Sequence, residues 1–231
     1  MFRLIRLFNT SIGSKLMTAT TGLVLVLFIA GHLVGNLLIF QQPSVINNYA
    51  AWLQENPLLW VIRGSMLFVF LFHAFLGLRL ARQNRQARES QYHCKTPIEG
   101  NISSRFMLIS GGVLFAFVVF HVLHLTVGVV DGVNANLVNE KNQVDVYSRV
   151  ILGFQNPWIS GAYLVALGLL GVHLFHAIQS LFQTFGFHHE SYLAFIRVFS
   201  IGLSMILTLG LASIPLSVLF GFLTVSTGSG G

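Results

Sequence analysis

The chain has 231 residues, of which 54% are hydrophobic and only 9% charged, whereas a soluble globular domain carries about 25% charged residues. That shortfall excludes a soluble enzyme, a nucleic-acid reader and a disordered chain. The net charge of +6 rests on 13 Lys and Arg, and their placement reports topology rather than a polyanionic partner. A single cysteine, Cys94, excludes a disulfide framework, a cysteine zinc site and a C-x-x-C-H attachment of a covalent prosthetic group.

In chain order, residues 2–8 alternate Phe, Leu and Ile with arginines, which predicts a short helix lying at a membrane interface. Five apolar stretches then follow at 16–40, 58–80, 106–130, 158–182 and 195–223. About 20 apolar residues cross a hydrocarbon core as a helix, and a tilted helix uses about 25. The first stretch is too long for the apolar region of a signal peptide, and no A-x-A pattern follows it. Pro215 in the last stretch predicts a kink rather than a break, since membrane helices tolerate such residues. The Gly/Ser tail at 228–231 carries no pattern. The fold class expected is therefore an all-α, polytopic membrane bundle of five transmembrane helices, formed as one domain over residues 1–231.

Basic residues orient it. Arg3, Arg6 and Lys15 precede the first span, Arg79, Arg82, Arg85, Arg88, Lys95 and Arg105 follow the second, and Arg197 follows the fourth. Those 10 of the 13 basic residues share one side, while Arg63, Lys141 and Arg149 share the other with Glu55, Asp131, Glu140 and Asp145. The positive-inside rule puts the N-terminus in the cytoplasm and the C-terminus outside.

Six of the nine histidines fall inside spans: His32, His73, His121, His124, His173 and His176. Ionisable side chains at that depth are costly and mark function or interhelical hydrogen bonds. Their pattern separates the two. Thr21-Gly22 is followed after nine residues by His32, and Ser110-Gly111 after nine residues by His121. Measured from Lys15 or Arg105, each histidine lies about 25 Å along its helix, at equal depth in the outer half of the membrane. Two imidazoles at equal depth on two helices suit axial ligation of a planar iron porphyrin. Gly22, Gly31, Gly35, Gly111 and Gly112 would let helices and a macrocycle approach closely, or serve helix packing alone. On the second and fourth spans, His73, His173 and His176 lie nearer the cytoplasmic end, and one of the latter two can pair with His73 around a second haem. Zinc or copper would want ligands clustered at one depth, often with Cys or carboxylate. No Asp or Glu falls inside a predicted span, which also argues against a proton-coupled transporter.

These residues resemble the single-subunit cytochrome b anchor of succinate dehydrogenases and fumarate reductases, the class with five transmembrane helices and two haem b groups. The matching phrases are Thr21-Gly22 to Gly31-His32-Leu33, Phe72-His73-Ala74-Phe75, Ser110-Gly111 to Phe120-His121-Val122, and His173 through Ser180 to Thr184-Phe185-Gly186. The resemblance as a whole covers about residues 12 to 210. The resemblance implies that His32 and His121 bind the haem iron distal to the catalytic subunits, and His73 and His173 the proximal one. His173 is preferred because it stands thirteen residues before Gly186, as in the family, although His176 matches the depth of His73 at least as well. His124 matches no ligand position and reads as a hydrogen-bonding, quinone-side or packing residue. His93, His188 and His189 read as solvated loop residues.

The resemblance further implies a flavoprotein and an iron–sulfur subunit docked on the cytoplasmic face, including the 83–104 loop. It also implies electron exchange with a membrane quinone, menaquinone by the family pattern, in a bacterial cytoplasmic membrane. The chain itself would carry no succinate chemistry. Some fumarate-reducing members have Glu two residues before the fourth-helix ligand, where this chain has Gly171, which favours succinate oxidation. Arg63 is a candidate for a quinone carbonyl or an interfacial anchor. Two rivals stay open: a bis-histidine anchor of a hydrogenase or formate dehydrogenase, and a haem-free transporter whose histidines join helices.

Overall fold

The computed structural model describes residues 10–86, 99–130, 137–187 and 189–225, with backbone alone at 99–105. The helix expected at 2–8, the 228–231 tail, His93, His188 and most of the 83–104 loop lie outside the described residues.

Seven α-helices are described: α1 (Ser11–Leu37), α2 (Pro43–Glu55), α3 (Leu58–Gln86), α4 (Glu99–His121), α5 (Val146–Gln155), α6 (Pro157–Thr184) and α7 (Glu190–Leu219). Among the described residues there is no strand. Five segments are long and apolar enough to cross a membrane: Ser11–Phe40, Leu58–Gln86, Phe106–Val127, Pro157–Thr184 and Glu190–Leu219. All five expected spans are thus present, with shifted ends. The third stops three residues early because Gly128 takes a left-handed conformation (φ 81°) that closes a π-helical turn, Val122–Val127. The fifth starts at Glu190, an acidic first-turn residue that suits the positive end of the helix dipole. It runs through the fully buried Pro215 to Leu219.

Helix starts follow local chemistry. The Thr10 hydroxyl accepts from the Gly13 N–H at the head of α1, and the Asn156 side chain accepts from Trp158 N–H at the head of α6, with Pro157 at the first helical position. His189 caps α7 by accepting from Ser191 N–H. It is a helix cap, not merely a solvated loop residue.

α1, α3, α4 and α6 form a ring in which each packs on the next and α6 returns to α1; α7 lies outside it against α6 and α1. The apolar packing is uneven. Leu33, Leu174, Ile178 and Leu207 join α1, α6 and α7. Ile39, Ile46, Val150, Ile151, Phe154, Tyr163, Ile214 and Val218 join α2 and α5 to the adjoining ends of α6 and α7. Only 6% of the most apolar stretch of α3, and of α4, is buried. Their outer faces show Phe68, Phe75, Ile109 and Val119, and that much exposed apolar surface fits hydrocarbon as its solvent. The chain is a multi-pass membrane protein.

The two short helices α2 and α5 were not expected. They are tied together by polar groups: Asn47 Nδ2 donates to Asp145 Oδ1 (2.9 Å), Tyr147 N–H donates to Asn47 Oδ1 (3.0 Å), and Ser148 N–H donates to Asp145 Oδ1 (3.1 Å). Partial burial alone would raise the Asp145 pKa. The hydrogen bonds from the Ser148 hydroxyl, Asn47 and the Ser148 N–H outweigh it and hold the carboxyl below its ordinary value. A carboxyl depressed on folding adds stability above the unfolded pKa of about 3.9, and this is lost as pH falls through the lower folded value. Asp145→Ala removes the cap of α5, worth about 1 kcal/mol, and leaves the buried Asn47 amide without an acceptor, worth about 1–3 kcal/mol more. The melting temperature of the detergent-solubilised protein should drop accordingly at pH 7. The gap to wild type should narrow below about pH 4; a gap independent of pH would contradict this account.

Candidate functional site

The ring of four helices borders a partly open cavity of about 2280 Å³, more than twice the upper end of ordinary small-molecule sites at about 1,000 Å³. Native interiors are close-packed with few voids larger than a water molecule, so a space of this size is the candidate ligand site. His32, His73, His121, His173 and His176 all line it. His124 does not; it is buried at 2% exposure behind the wall.

The histidines meet across the diagonals of the ring. His32 of α1 faces His121 of α4, with ring centroids 5.8 Å apart and planes at 83°. Two imidazoles bound to one metal through Nε2 at about 2 Å each would hold their centroids about 6 Å apart, so this pair already stands at bridging distance. His73 of α3 and His173 of α6 lie within electrostatic reach of each other on the other diagonal. Among the described residues, no three His, Cys, Asp or Glu side chains are arranged to share a metal ion.

The two levels interlock through the repeated phrase. The Thr21 hydroxyl lies 2.9 Å from His73 Nδ1, and the Ser110 hydroxyl 3.0 Å from His173 Nδ1. Each hydroxyl also has backbone carbonyls in reach that can take its proton: Met17 O (2.8 Å) and Thr18 O (3.0 Å) for Thr21, and Met107 O (3.3 Å) for Ser110. With the hydroxyl protons given to those carbonyls, Nδ1 of both histidines donates to its hydroxyl, the tautomer that leaves both Nε2 lone pairs for a metal. Thr21-Gly22-x9-His32 and Ser110-Gly111-x9-His121 thus each serve both levels: the hydroxyl orients a histidine of the neighbouring helix, and the motif's own histidine serves the other level. Eleven residues separate the two along a helix, which is about 16 Å.

The glycines divide by role. A Cβ on Gly22 would stand 3.3 Å from His73 Cε1, and one on Gly111 3.6 Å from His173 Cε1. Gly31 and Gly112, and Gly77 which was not anticipated, line the cavity with no atom within 4 Å of a would-be Cβ. They leave bare backbone against which a flat group can lie. Gly35 instead admits the ring of Tyr49, and Gly171 admits Thr208 of α7, whose Oγ1 would be 3.3 Å from a Cβ. The glycine where some relatives of the expected family have Glu is thus also a close-packing point between α6 and α7.

His176 lines the cavity near Phe106 (centroids 6.5 Å), and the Ser110 and Gly111 cradle belongs to His173. Arg63 borders the cavity and also a small pocket of about 280 Å³ with Gln54, Thr126 and Arg149. Its guanidinium lies 5.0 Å from the centroid of the Trp60 ring, an arrangement that suits an interfacial anchor. The residue missed entirely was Tyr163 of α6. It is 5% exposed, and its hydroxyl lies 3.2 Å from His121 Nδ1 and 2.9 Å from His124 Nδ1. A lone Tyr in an apolar span carries no signal of its partners.

No protein-family model, no curated protein and no solved structure matches the chain.

Proposed function

We propose that the chain is a dihaem cytochrome b membrane anchor of the succinate dehydrogenase or fumarate reductase type. The supporting observation is the cavity crossed by two diagonal histidine pairs, with a hydroxyl against Nδ1 of His73 and of His173, an arrangement that turns Nε2 towards a metal-ligating role. His32 and His121 would hold one haem iron, His73 and His173 the other. The lone Cys94 outside any C-x-x-C-H motif fits non-covalent groups, and the family resemblance makes them haem b. When bound, the haems supply one-electron chemistry linking an iron–sulfur partner at one end to a membrane quinone, with menaquinone the family expectation.

The chain's own residues do the rest. Thr21 and Ser110 hold the Nδ1 protons of two ligands and fix their ring planes. Gly31, Gly77 and Gly112 admit a macrocycle against backbone. Leu25, Val26, Phe70, Phe115, Leu167 and Leu170 are among the apolar side chains that line the cavity and exclude water. Lys15 and Arg85 at one end and Arg63 at the other border it where a macrocycle's carboxylates would meet cations rather than hydrocarbon. In this reading the N-terminus is cytoplasmic, the flavoprotein and iron–sulfur subunits dock on that basic face, and the membrane is a bacterial cytoplasmic one.

A pyridine haemochrome assay with a reduced-minus-oxidised spectrum should find two haem b per chain, and purification should bring a flavin-bearing partner. No haem in the folded protein would end the cytochrome reading, and a nickel- or molybdenum-bearing partner would end the succinate one. On the ligand choice, His173→Ala should remove one haem while His176→Ala keeps both; the reverse pattern would move the ligand to His176.

A further inference from the structure

The third transmembrane segment does something between His121 and His124 that ordinary helical periodicity does not require. The α-helix ends at His121, and a π-helical turn, Val122–Val127, follows and is closed by Gly128 N–H donating to Leu123 O (2.9 Å). Such π-turns are rare and concentrate at functional sites. Here the turn carries the buried His124, so that both His121 Nδ1 and His124 Nδ1 reach the one hydroxyl of Tyr163. Phe117, Phe120 and Phe154 pack their rings edge-on or tilted against Tyr163, with centroids 4.8 to 5.9 Å away. The phenol has no loose rotamer to adopt.

The proton inventory orders this cluster once His121 binds metal through Nε2, and the inference rests on that reading. A neutral imidazole bound through Nε2 carries its proton on Nδ1, so His121 donates to Tyr163 Oη. Tyr163 has one proton of its own, and His124 Nδ1 at 2.9 Å accepts it when His124 carries its own proton on Nε2. The chain runs His121 Nδ1–H to Tyr163 Oη–H to His124 Nδ1. Each donation makes the next oxygen or nitrogen a better acceptor, so His124 increases the pull of Tyr163 on the His121 proton.

We propose that Tyr163, set by His124, is a positioning and tuning residue for the His32–His121 haem, making His121 a more basic ligand and lowering that haem's potential relative to its partner. Thr21 and Ser110 treat the other pair alike, one aliphatic hydroxyl to each histidine. The phenol–imidazole relay serves His121 only, so the effect is confined to one haem.

The test is redox titration of the haem-loaded complex, following the two haems separately. Partners of this kind change metal affinity by about 10–100-fold. With Tyr163→Phe, a tenfold loss of preference for the ferric state raises the potential of the His32–His121 haem by about 59 mV. The other haem should stay in place. His124→Phe keeps the phenol and should give a smaller rise in the same haem, while His124→Gln, which retains an acceptor oxygen, should stay near wild type. An unchanged potential in Tyr163→Phe, or an equal shift of both haems, overturns the proposal. Should Tyr163→Phe lose the haem, His124→Phe decides alone: a rise in one haem supports the relay and no rise overturns it. A wild-type protein with no haem would instead remove the reading beneath it, so the two failures are distinguishable.

Discussion

If the chain is the proposed dihaem cytochrome, His121→Ala is expected to retain one haem b per chain and the wild type to bind two. His121 and His32 are the only cavity-lining histidines brought ring to ring at bridging distance among the described residues. The other pair sits about 16 Å further along the bundle on different helices. Sites separated by more than about 10 Å and sharing no partner lose their ligands independently. His32→Ala should therefore reproduce the effect, the His32→Ala/His121→Ala double variant should add nothing, and combination with His73→Ala should leave no haem. The pyridine haemochrome content of each variant, with melting temperature as a check on folding, decides it. Both haems retained in His121→Ala, or both lost from a folded protein, would reject the diagonal pairing.

Gly22→Leu is the second large effect, and it acts on the opposite level. The Cβ alone would stand 3.3 Å from His73 Cε1, tighter than a relaxed van der Waals contact, and the remaining carbons would enter the cavity. Helix α1 itself tolerates Leu, one of the better helix formers, so the bundle should stay folded while the His73 ring is pushed out of register. The expected result is loss of the His73–His173 haem with the His32–His121 haem kept. Gly111→Leu should do the same through His173. Gly111→Ala should be nearly silent, because its Cβ would meet His173 Cε1 at an ordinary 3.6 Å. Haem content and the redox titration of the remaining haem report which site was lost. Retention of both haems in Gly22→Leu would mean that His73 does not bind from the position described.

The two variants differ in what the unfolded sequence could foretell. That His121 is a candidate ligand follows from its depth and from the repeated phrase around it. That Gly22 guards His73 rather than its own His32 does not, because the contact joins residues 51 positions apart by their numbering and depends on how α1 and α3 are rotated against each other. Thr21 and His73, and Ser110 and His173, are likewise 52 and 63 residues apart. The hydroxyl-glycine phrase was visible as a repeat, but its purpose was not.

The sequence by itself determined the five membrane-crossing helices and the depths of the histidines. Length and apolarity decide whether a helix can cross hydrocarbon, and a rise of 1.5 Å per residue turns spacing into depth; both are properties of one segment at a time. Only the tertiary structure decided what depends on several segments together. It chose the diagonals, opened the cavity among α1, α3, α4 and α6, and laid α2 and α5 over one end through Asn47 and Asp145. It also brought Tyr163 of α6 to His121 and His124 through a π-turn that no periodicity in the sequence announces. Hydrogen-bond partners 39 to 63 residues apart are set by helix rotation and close packing, and those exist only once the bundle has closed.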